Sequence, residues 1–223
     1  MDQYQVTLKG LTPLLLHSDN LAYSEKIKVW QKDPANKELS LAGDDRSPAW
    51  IWLGYLYHDR RHIGIPADNL MTMLREGGCK VVNRGKETYK KQTQAGIMID
   101  QQQWELLIGG NTVPVEGLNA LIGNSDFSKH LEAAEALGFE LLVKRAKIGS
   151  AKHVRVRPLF REWTVTGSLT VIDSELSGLS KPILQRILDV AGALVGLGDW
   201  RPSSPKSSGT FGKFEAEVKL MKS

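Results

Sequence analysis

The chain has 223 residues, 41% of them hydrophobic and 24% charged, a composition that suits one globular domain with a full core and excludes general disorder. Lys and Arg number 29 against 25 Asp and Glu, a formal charge of +4, so any case for nucleic acid has to come from where the cations cluster rather than from their total. The single cysteine, Cys79, excludes an internal disulfide and a cysteine-built zinc site, and it fits a reducing compartment.

The opening Met1-Asp2-Gln3-Tyr4 has neither a basic nor an apolar leader, and no later apolar run has the length of a membrane span. A cytoplasmic protein with no membrane partner is the expectation. Tyr4, Val6 and Leu8 alternate with Gln5, Thr7 and Lys9, the period of a half-buried strand. Leu14-Leu15-Leu16 then leads into the polar group His17-Ser18-Asp19-Asn20, in which His17 and Asp19 form either a chemical pair or an Asx-type turn.

Residues 21–64 show no sustained period. Turn residues such as Asp33-Pro34-Ala35-Asn36 are interspersed with Trp30, Trp50, Trp52, Tyr55 and Tyr57. So long a connection is functional or disordered, and its aromatics argue against disorder. They either pack on the core, which we expect of Trp50 to Tyr57, or supply a base-stacking platform.

Ile65-Pro66-Ala67-Asp68-Asn69-Leu70 is a helix start, with proline in the first turn and Asp68 near the positive end of the helix dipole. Ala67, Leu70, Met71 and Leu74 recur at helical spacing and predict one buried face; Gly77 and Gly78 end the helix. Beyond it come Lys80, Arg84, Lys86, Lys90 and Lys91, with Glu87 the only acid and Tyr89 interleaved. That composition fits either a solvated basic loop or a loop that tracks a nucleic-acid backbone with Tyr89 stacking on a base.

Residues 96–99, 104–108 and 113–115 read as short strands, and Asp126 as the N-cap of a helix through Leu137. From Lys144 to Arg161 there are seven Lys and Arg, with His153 and no acid. Basic and apolar residues alternate from Lys152 to Arg157, so a strand would bury Val154 and Val156 and present cations, Arg155 and Arg157 among them, on its other face. Such a row repels itself without an anionic partner. Trp163 to Val171 alternates as a further strand, which can pair with the basic one as a hairpin.

Ser180 and Pro182 open the strongest helix pattern, with Ile183, Leu184, Ile187, Leu188, Ala191, Leu194 and Val195 at helical spacing. It runs into a glycine-rich loop, Gly192 to Phe214, in which Gly196, Gly198, Gly209 and Gly212 stand among Trp200, Arg201, Lys206 and Lys213. Glycine permits positive φ and close backbone approach, so the loop reads either as a phosphate cradle or as a flexible connection. Phe214, Ala216, Val218 and Leu220 alternate as a last strand.

Stripped of insertions at about 21–64 and 78–143, the order is βαββαβ: an α+β, ferredoxin-like (RRM-like) core in a single domain over residues 1–223. The helix, glycine-rich loop and closing strand resemble the C-terminal glycine-rich loop of the CRISPR-associated RAMP superfamily. Ile65-Pro66-Ala67-Asp68-Asn69-Leu70 with Arg75 is similar to the Ile-Pro-x-Ser-x-Leu-x-x-x-x-Arg helix start of its backbone-subunit branch, and Leu8 to Asn20 resembles its first strand and turn.

The resemblance implies a subunit of a ribonucleoprotein complex for antiviral defence, one that oligomerises along a single-stranded guide RNA beside copies of itself and other subunits. By position, Asn69, Arg75, Gly196, Gly198, Arg201, Gly209 and Gly212 would lie near the RNA. Arg84, Lys86, Lys152, Arg155, Arg157, Lys206 and Lys213 supply further phosphate contacts, and Tyr89 and Trp200 stacking surfaces.

The sequence departs from that pattern at Ala67-Asp68, where the superfamily's serine is replaced and an acid disfavours phosphate, and at the bulky Trp200-Arg201-Pro202. Two alternatives remain. One is a metal-independent endoribonuclease with His17 or His153 as general base, Asp19 lying where some relatives carry a cutting aspartate; the other is a single-stranded DNA-binding protein. No cofactor is called for, and no His, Asp and Glu cluster has metal-ligand spacing.

Overall fold

The alternation that begins the chain forms its central strand. The computed structural model describes residues 1–39, 47–148, 151–205 and 208–221, a mixed α+β chain with antiparallel sheets. It divides into two units, one made of Met1–Leu15, His58–Pro114 and Arg161–Ser223, the other of Leu16–Tyr57 and Val115–Phe160.

In the first unit β1 (Asp2–Gly10) is followed by β2 (Leu14–Leu15). The second unit then supplies α1 (Leu21–Lys32). The first resumes with β3 (Gly64–Pro66), α2 (Ala67–Gly78), β4 (Val82–Arg84), β5 (Glu87–Thr88), α3 (Lys90–Ala95), β6 (Ile97–Ile99), β7 (Gln103–Ile108) and β8 (Asn111–Thr112). The second contributes α4 (Phe127–Ala136), β9 (Glu140–Ile148) and β10 (Ala151–Phe160). The first closes with β11 (Thr164–Val171), α5 (Ser174–Ser177), α6 (Lys181–Leu194) and β12 (Phe214–Leu220).

The main sheet of the first unit runs β12-β1-β11-β7-β3, with β6 also on β11 and β8 on β7, and its pairs are antiparallel. Val6 stands opposite Gly167 on one side and Val218 on the other, so Tyr4, Val6 and Leu8 share a face with Val165, Leu169 and Val218. All six are buried. The buried faces of α2 (Leu70, Met73, Leu74) and α6 (Leu184, Ile187, Leu188, Ala191) cover that side. The helices approach closely where Gly77 meets Ala191 and the Ile187 carbonyl; a Cβ there would lie 2.9 Å from both. Gln185 covers the edge strand, donating to the Ala216 carbonyl at 2.7 Å and accepting from the Val218 N–H at 3.1 Å.

The other face of this sheet carries Gln3, Gln5 and Thr7 with Thr166, Ser168 and Thr170. Asp100 is tied into it: its carboxylate accepts from Gln3 Nε2 at 2.8 Å, Ser168 Oγ at 2.6 Å and Thr170 Oγ1 at 2.8 Å. Burial pushes this carboxyl upward, but the three hydrogen bonds outweigh it and hold the group below its ordinary value.

The second unit is built on the β9–β10 hairpin, the 3₁₀ helix Ala49–Tyr55 and α4. Trp50 to Gly54 are buried, so these aromatics are core as expected. Trp52 packs on Phe139 and His130, and Phe139 on Phe160. Asp126 caps α4 as read from the sequence, accepting from the Ser128 N–H at 3.0 Å.

Several expectations are corrected. Residues 151–160 do not form a hairpin with 164–171: β10 pairs with β9, from which only residues 149–150 separate it, and β11 pairs with β1, β6 and β7. Residues 21–32, read as aperiodic, form α1, a helix with no buried residue and hence no apolar stripe to detect. Pro66 precedes α2 in an extended conformation rather than entering its first turn, and Met73 rather than Met71 joins the buried face. Val113 to Val115 is not a strand; Val113 is buried beside the two-residue β8.

Candidate nucleic-acid interface

The cations of residues 80–91 are spread over a small hairpin, which carries Arg84 and Lys86, and its flanks, with Lys80 before β4 and Lys90 and Lys91 at the start of α3. Val81 and Tyr89 are buried at 3% and 7% exposure, and the Tyr89 N–H donates to the Val81 carbonyl at 3.1 Å. The Thr93 hydroxyl, fully buried, lies 3.0 Å from the Tyr89 carbonyl and 2.9 Å from that of Lys90, fastening the hairpin to α3. Beyond this base β4 and β5 pair, with Gly85 turning the chain at φ +60°. Lys80, Arg84, Lys86, Lys90 and Lys91 are all exposed, with Glu87 the one acid among them. Tyr89, expected to stack on a base, is instead buried at the base of the hairpin as part of the clamp.

Arg75 is exposed on α2 and Asn69 is half-buried near its start. Asp68, Met71, Thr72 and Arg75 of α2 and Gln94 of α3 line a shallow groove of about 320 Å³. Arg75 and the hairpin cations therefore belong to neighbouring elements of one unit, since α2 and α3 pack together.

Most of the glycine-rich loop's described amides are turned into the protein. The N–H groups of Gly196, Leu197, Asp199, Gly209, Phe211 and Gly212 donate to the carbonyls of Ala191, Gly212, Leu15, Arg201, Trp200 and Pro13 respectively, at 2.7 to 3.3 Å. The Lys213 N–H donates to Thr12 Oγ1 at 3.0 Å. These donors are already used within the protein and are not free for an anion.

The loop's glycines serve its own packing: a Cβ on Gly209 would sit 1.5 Å from the Trp200 carbonyl oxygen, and one on Gly212, at φ +70°, 1.8 Å from that of Leu197. Gly196 and Gly198, both at φ +75°, turn the chain beside Pro202 and Leu15. Trp200, at φ +55°, stacks on Phe211 with centroids 6.1 Å apart.

Arg201 is also engaged within the protein. Its guanidinium pairs with Glu76 of α2 at 3.3 Å and donates to Ser203 Oγ at 3.0 Å and to the Gly198 carbonyl at 3.3 Å, while the Ser203 hydroxyl donates to Glu76 at 2.5 Å. An arginine expected on phosphate thus locks the loop to a helix. Lys213 is half-buried. Lys206 lies outside the described residues.

In the second unit the β9–β10 register sets Arg155 against Lys144, Lys152 against Lys147, Arg157 against Leu142 and Val156 against Val143. Lys152 shares its strand parity with Val154 and Val156, not with Arg155 and Arg157. The basic strand therefore belongs to this hairpin and not to the sheet that carries the glycine-rich loop. The side chains of Lys152, His153 and Arg155 lie outside the described residues.

Of the catalytic candidates, the His17 ring packs edge-on against Tyr55 with centroids 4.4 Å apart, and Tyr57 donates to the His17 carbonyl at 2.9 Å. Asp19 is exposed. Of the three histidines that sequence reasoning did not single out, His58, His62 and His130, the buried one is His130. It is fully buried, accepts at Nδ1 from the Trp52 indole N–H at 3.1 Å, and therefore carries its proton on Nε2, which donates to the Asn124 carbonyl at 3.0 Å. Both ring nitrogens are satisfied, and its role is to hold the core together.

Among the described residues no group of three or more His, Cys, Asp or Glu is placed to hold a metal ion, and no helix is long and apolar enough to cross a membrane. No family model matches the chain, and no curated protein matches it.

Proposed function

We propose that this protein is a non-catalytic binder of single-stranded nucleic acid, RNA in the first instance, that grips the phosphate backbone through the β4–β5 hairpin and the neighbouring Arg75. The observation that carries the reading is the exposure of five cations against one acid over residues 80–91: Arg84 and Lys86 at the hairpin, Lys80 before it and Lys90 and Lys91 at the start of α3, on a support clamped by Val81, Tyr89 and Thr93. Exposed clustered cations attract a polyanion and gain from counterion release.

We read the first unit as a ferredoxin-like core. In support, the order β12-β1-β11-β7, with α2 in the connection after β1 and α6 in that before β12, is that of a split βαβ arrangement. With the resemblance of the α2 start and the α6-loop-β12 segment to RAMP backbone subunits, this makes a guide RNA, held by several copies of the chain within a larger complex, the favoured ligand. The glycine-rich loop enters the reading only as a brace for α2 and not as a phosphate site.

Anisotropy of labelled single-stranded RNA and DNA, over about 50 to 200 mM salt, tests it. Wild type is expected to bind at low salt with a steep logarithmic salt dependence. Arg84→Glu with Lys86→Glu should weaken binding about tenfold or more and flatten the slope by about 1.4, the value for two lost single-strand phosphate contacts. Failure to bind either polymer at low salt, or binding indifferent to the double reversal, overturns the proposal. Cleavage of the RNA that disappears in His17→Ala or His153→Ala would overturn its non-catalytic part.

A further inference from the structure

The groove between α2 and α3 holds more than the Arg75 that the phosphate reading uses. Asp68, Met71, Thr72 and Arg75 recur at i, i+3, i+4 and i+7, so they form one stripe of α2, and Gln94 of α3 lines the same groove of about 320 Å³. The two helices are held close there: a Cβ on Gly78 would lie 2.6 Å from Thr93 Oγ1, and Thr93, bonded to the Tyr89 and Lys90 carbonyls, directly precedes Gln94. The same threonine fastens the hairpin, so groove and cations share one support.

The polar groups of this groove are uncommitted. Among the described residues, the side chains of Asp68, Thr72, Arg75 and Gln94 make no hydrogen bond or ion pair within the protein, unlike Glu76, which is taken by Arg201 and Ser203. Asp68 and Arg75 stand seven residues apart in sequence, about 10 Å along the helix, and do not pair. The stripe thus presents a cation at one end and an acceptor at the other, with the apolar Met71 between them. A carboxylate repels a phosphate but accepts from a hydroxyl. The ligand that suits the whole stripe has an anionic group for Arg75 and, beside it, a neutral ring with a C–H face for Met71 and a hydroxyl for Asp68: the sugar–phosphate unit of a ribonucleotide.

We infer that this groove reads the ribose of a bound single strand: Arg75 meets a phosphate, while the adjoining 2′-hydroxyl donates to the Asp68 carboxylate and accepts from the Gln94 side-chain amide. The inference rests on the nucleic-acid reading above and adds to it the group that separates RNA from DNA, since the 2′-hydroxyl is both donor and acceptor and deoxyribose lacks it. A site built to bond a hydroxyl disfavours the analogue without it, because its polar groups are then covered and left unpaired. The acid that is out of place for a phosphate at the start of α2 is in place for a sugar.

The test measures anisotropy of one labelled sequence as single-stranded RNA, DNA and 2′-O-methyl RNA at low salt. Wild type should bind RNA about tenfold more tightly than DNA, and 2′-O-methyl RNA, which keeps the acceptor but not the donor, no better than DNA. Asp68→Ala should bring the RNA-to-DNA ratio close to one, by weakening RNA binding and, as a negative charge is removed, slightly strengthening DNA binding. Gln94→Leu, on the other helix, should lower the ratio about threefold, and it serves if Asp68→Ala proves unstable. A ribonucleoside monophosphate added at the strand's own concentration should not displace the RNA.

Equal wild-type affinity for RNA and DNA overturns the ribose contact and leaves the phosphate reading intact. A preference that survives both Asp68→Ala and Gln94→Leu, or a 2′-O-methyl strand bound as tightly as RNA, also overturns it. Displacement by the monophosphate makes a free nucleotide the groove's ligand and overturns the strand as its occupant. Absence of binding to every strand removes the nucleic-acid reading and the ribose contact with it.

Discussion

The loop from Gly196 to Gly212 and the β4–β5 hairpin both set glycine beside arginine and lysine, yet they direct their donors in opposite ways. In the loop, main-chain N–H groups and the Arg201 guanidinium point into the protein, toward carbonyls and Glu76. In the hairpin only the base is bonded inward, while Arg84 and Lys86 extend into water around a glycine with nothing within 4 Å of where its Cβ would be. Glycine in a basic segment therefore marks two different situations, close self-packing and free turning, and only the second leaves cations for a ligand.

The sharpest way to break that contrast is at the glycines. Gly212→Ala places a Cβ against the Leu197 carbonyl at positive φ, and it should cost about 3 kcal/mol or more. Gly85→Ala meets only the backbone strain of its φ, about 1–2 kcal/mol. Urea denaturation of the two variants should separate them clearly; similar losses would mean that the loop is not packed as described.

Next in size is the Arg201–Glu76 pair, whose side chains are 24% and 28% exposed. Arg201→Ala should lose about 1–3 kcal/mol, and Glu76→Ala about as much. The double variant should lose less than their sum, because each single change already removes the shared interaction. Additive losses would show that the two residues do not act together.

Asp100 should have a smaller and pH-dependent effect. Its folded-state pKa lies below the unfolded one, so its contribution is present above the ordinary carboxylate range and fades as pH falls through the folded value. The stability gap between wild type and Asp100→Asn should accordingly be widest near neutrality and close below about pH 4. A gap that stays constant on acidification would show that the hydrogen bonds do not favour the carboxylate.

The smallest stability effect is expected at the hairpin tip, where Arg84→Ala with Lys86→Ala should stay within about 0.5 kcal/mol of wild type. The same variant should weaken nucleic-acid binding, which is the reverse of what Arg201→Ala does. A thermal melt and a binding isotherm on each protein suffice to compare them.

Where burial imposes a period, the sequence could be read directly. The alternation in β1 and β12 and the 3.6 spacing in α6 follow from faces pressed against a core. Helix α1 was illegible for the opposite reason: Leu21 and Val29 are 75% and 71% exposed, and nothing in the helix is buried. The alternation of β10 marked a strand but could not say which strand it pairs with, because any partner satisfies the same local pattern.

At the candidate site, clustering identified the cations of residues 80–91, but not which of the chain's basic residues are already taken. Arg201 finds its acid 125 residues away, a separation that no local pattern reports. Nor could aromatic content tell Trp52, tied to His130 in the core, from Trp30, which is left half-buried.

The position of β1 in the sheet has a consequence for synthesis. Gln5 bonds to Thr166, 161 residues along the chain, and the strand's other neighbour, β12, lies farther still. A ribosome therefore releases Tyr4, Val6 and Leu8 long before either flanking strand exists, and the emerging segment has two unpaired edges throughout. Folding of this unit is dominated by distant contacts and is correspondingly slow, so the nascent chain is most prone to stray strand pairing while it waits for its C-terminal third.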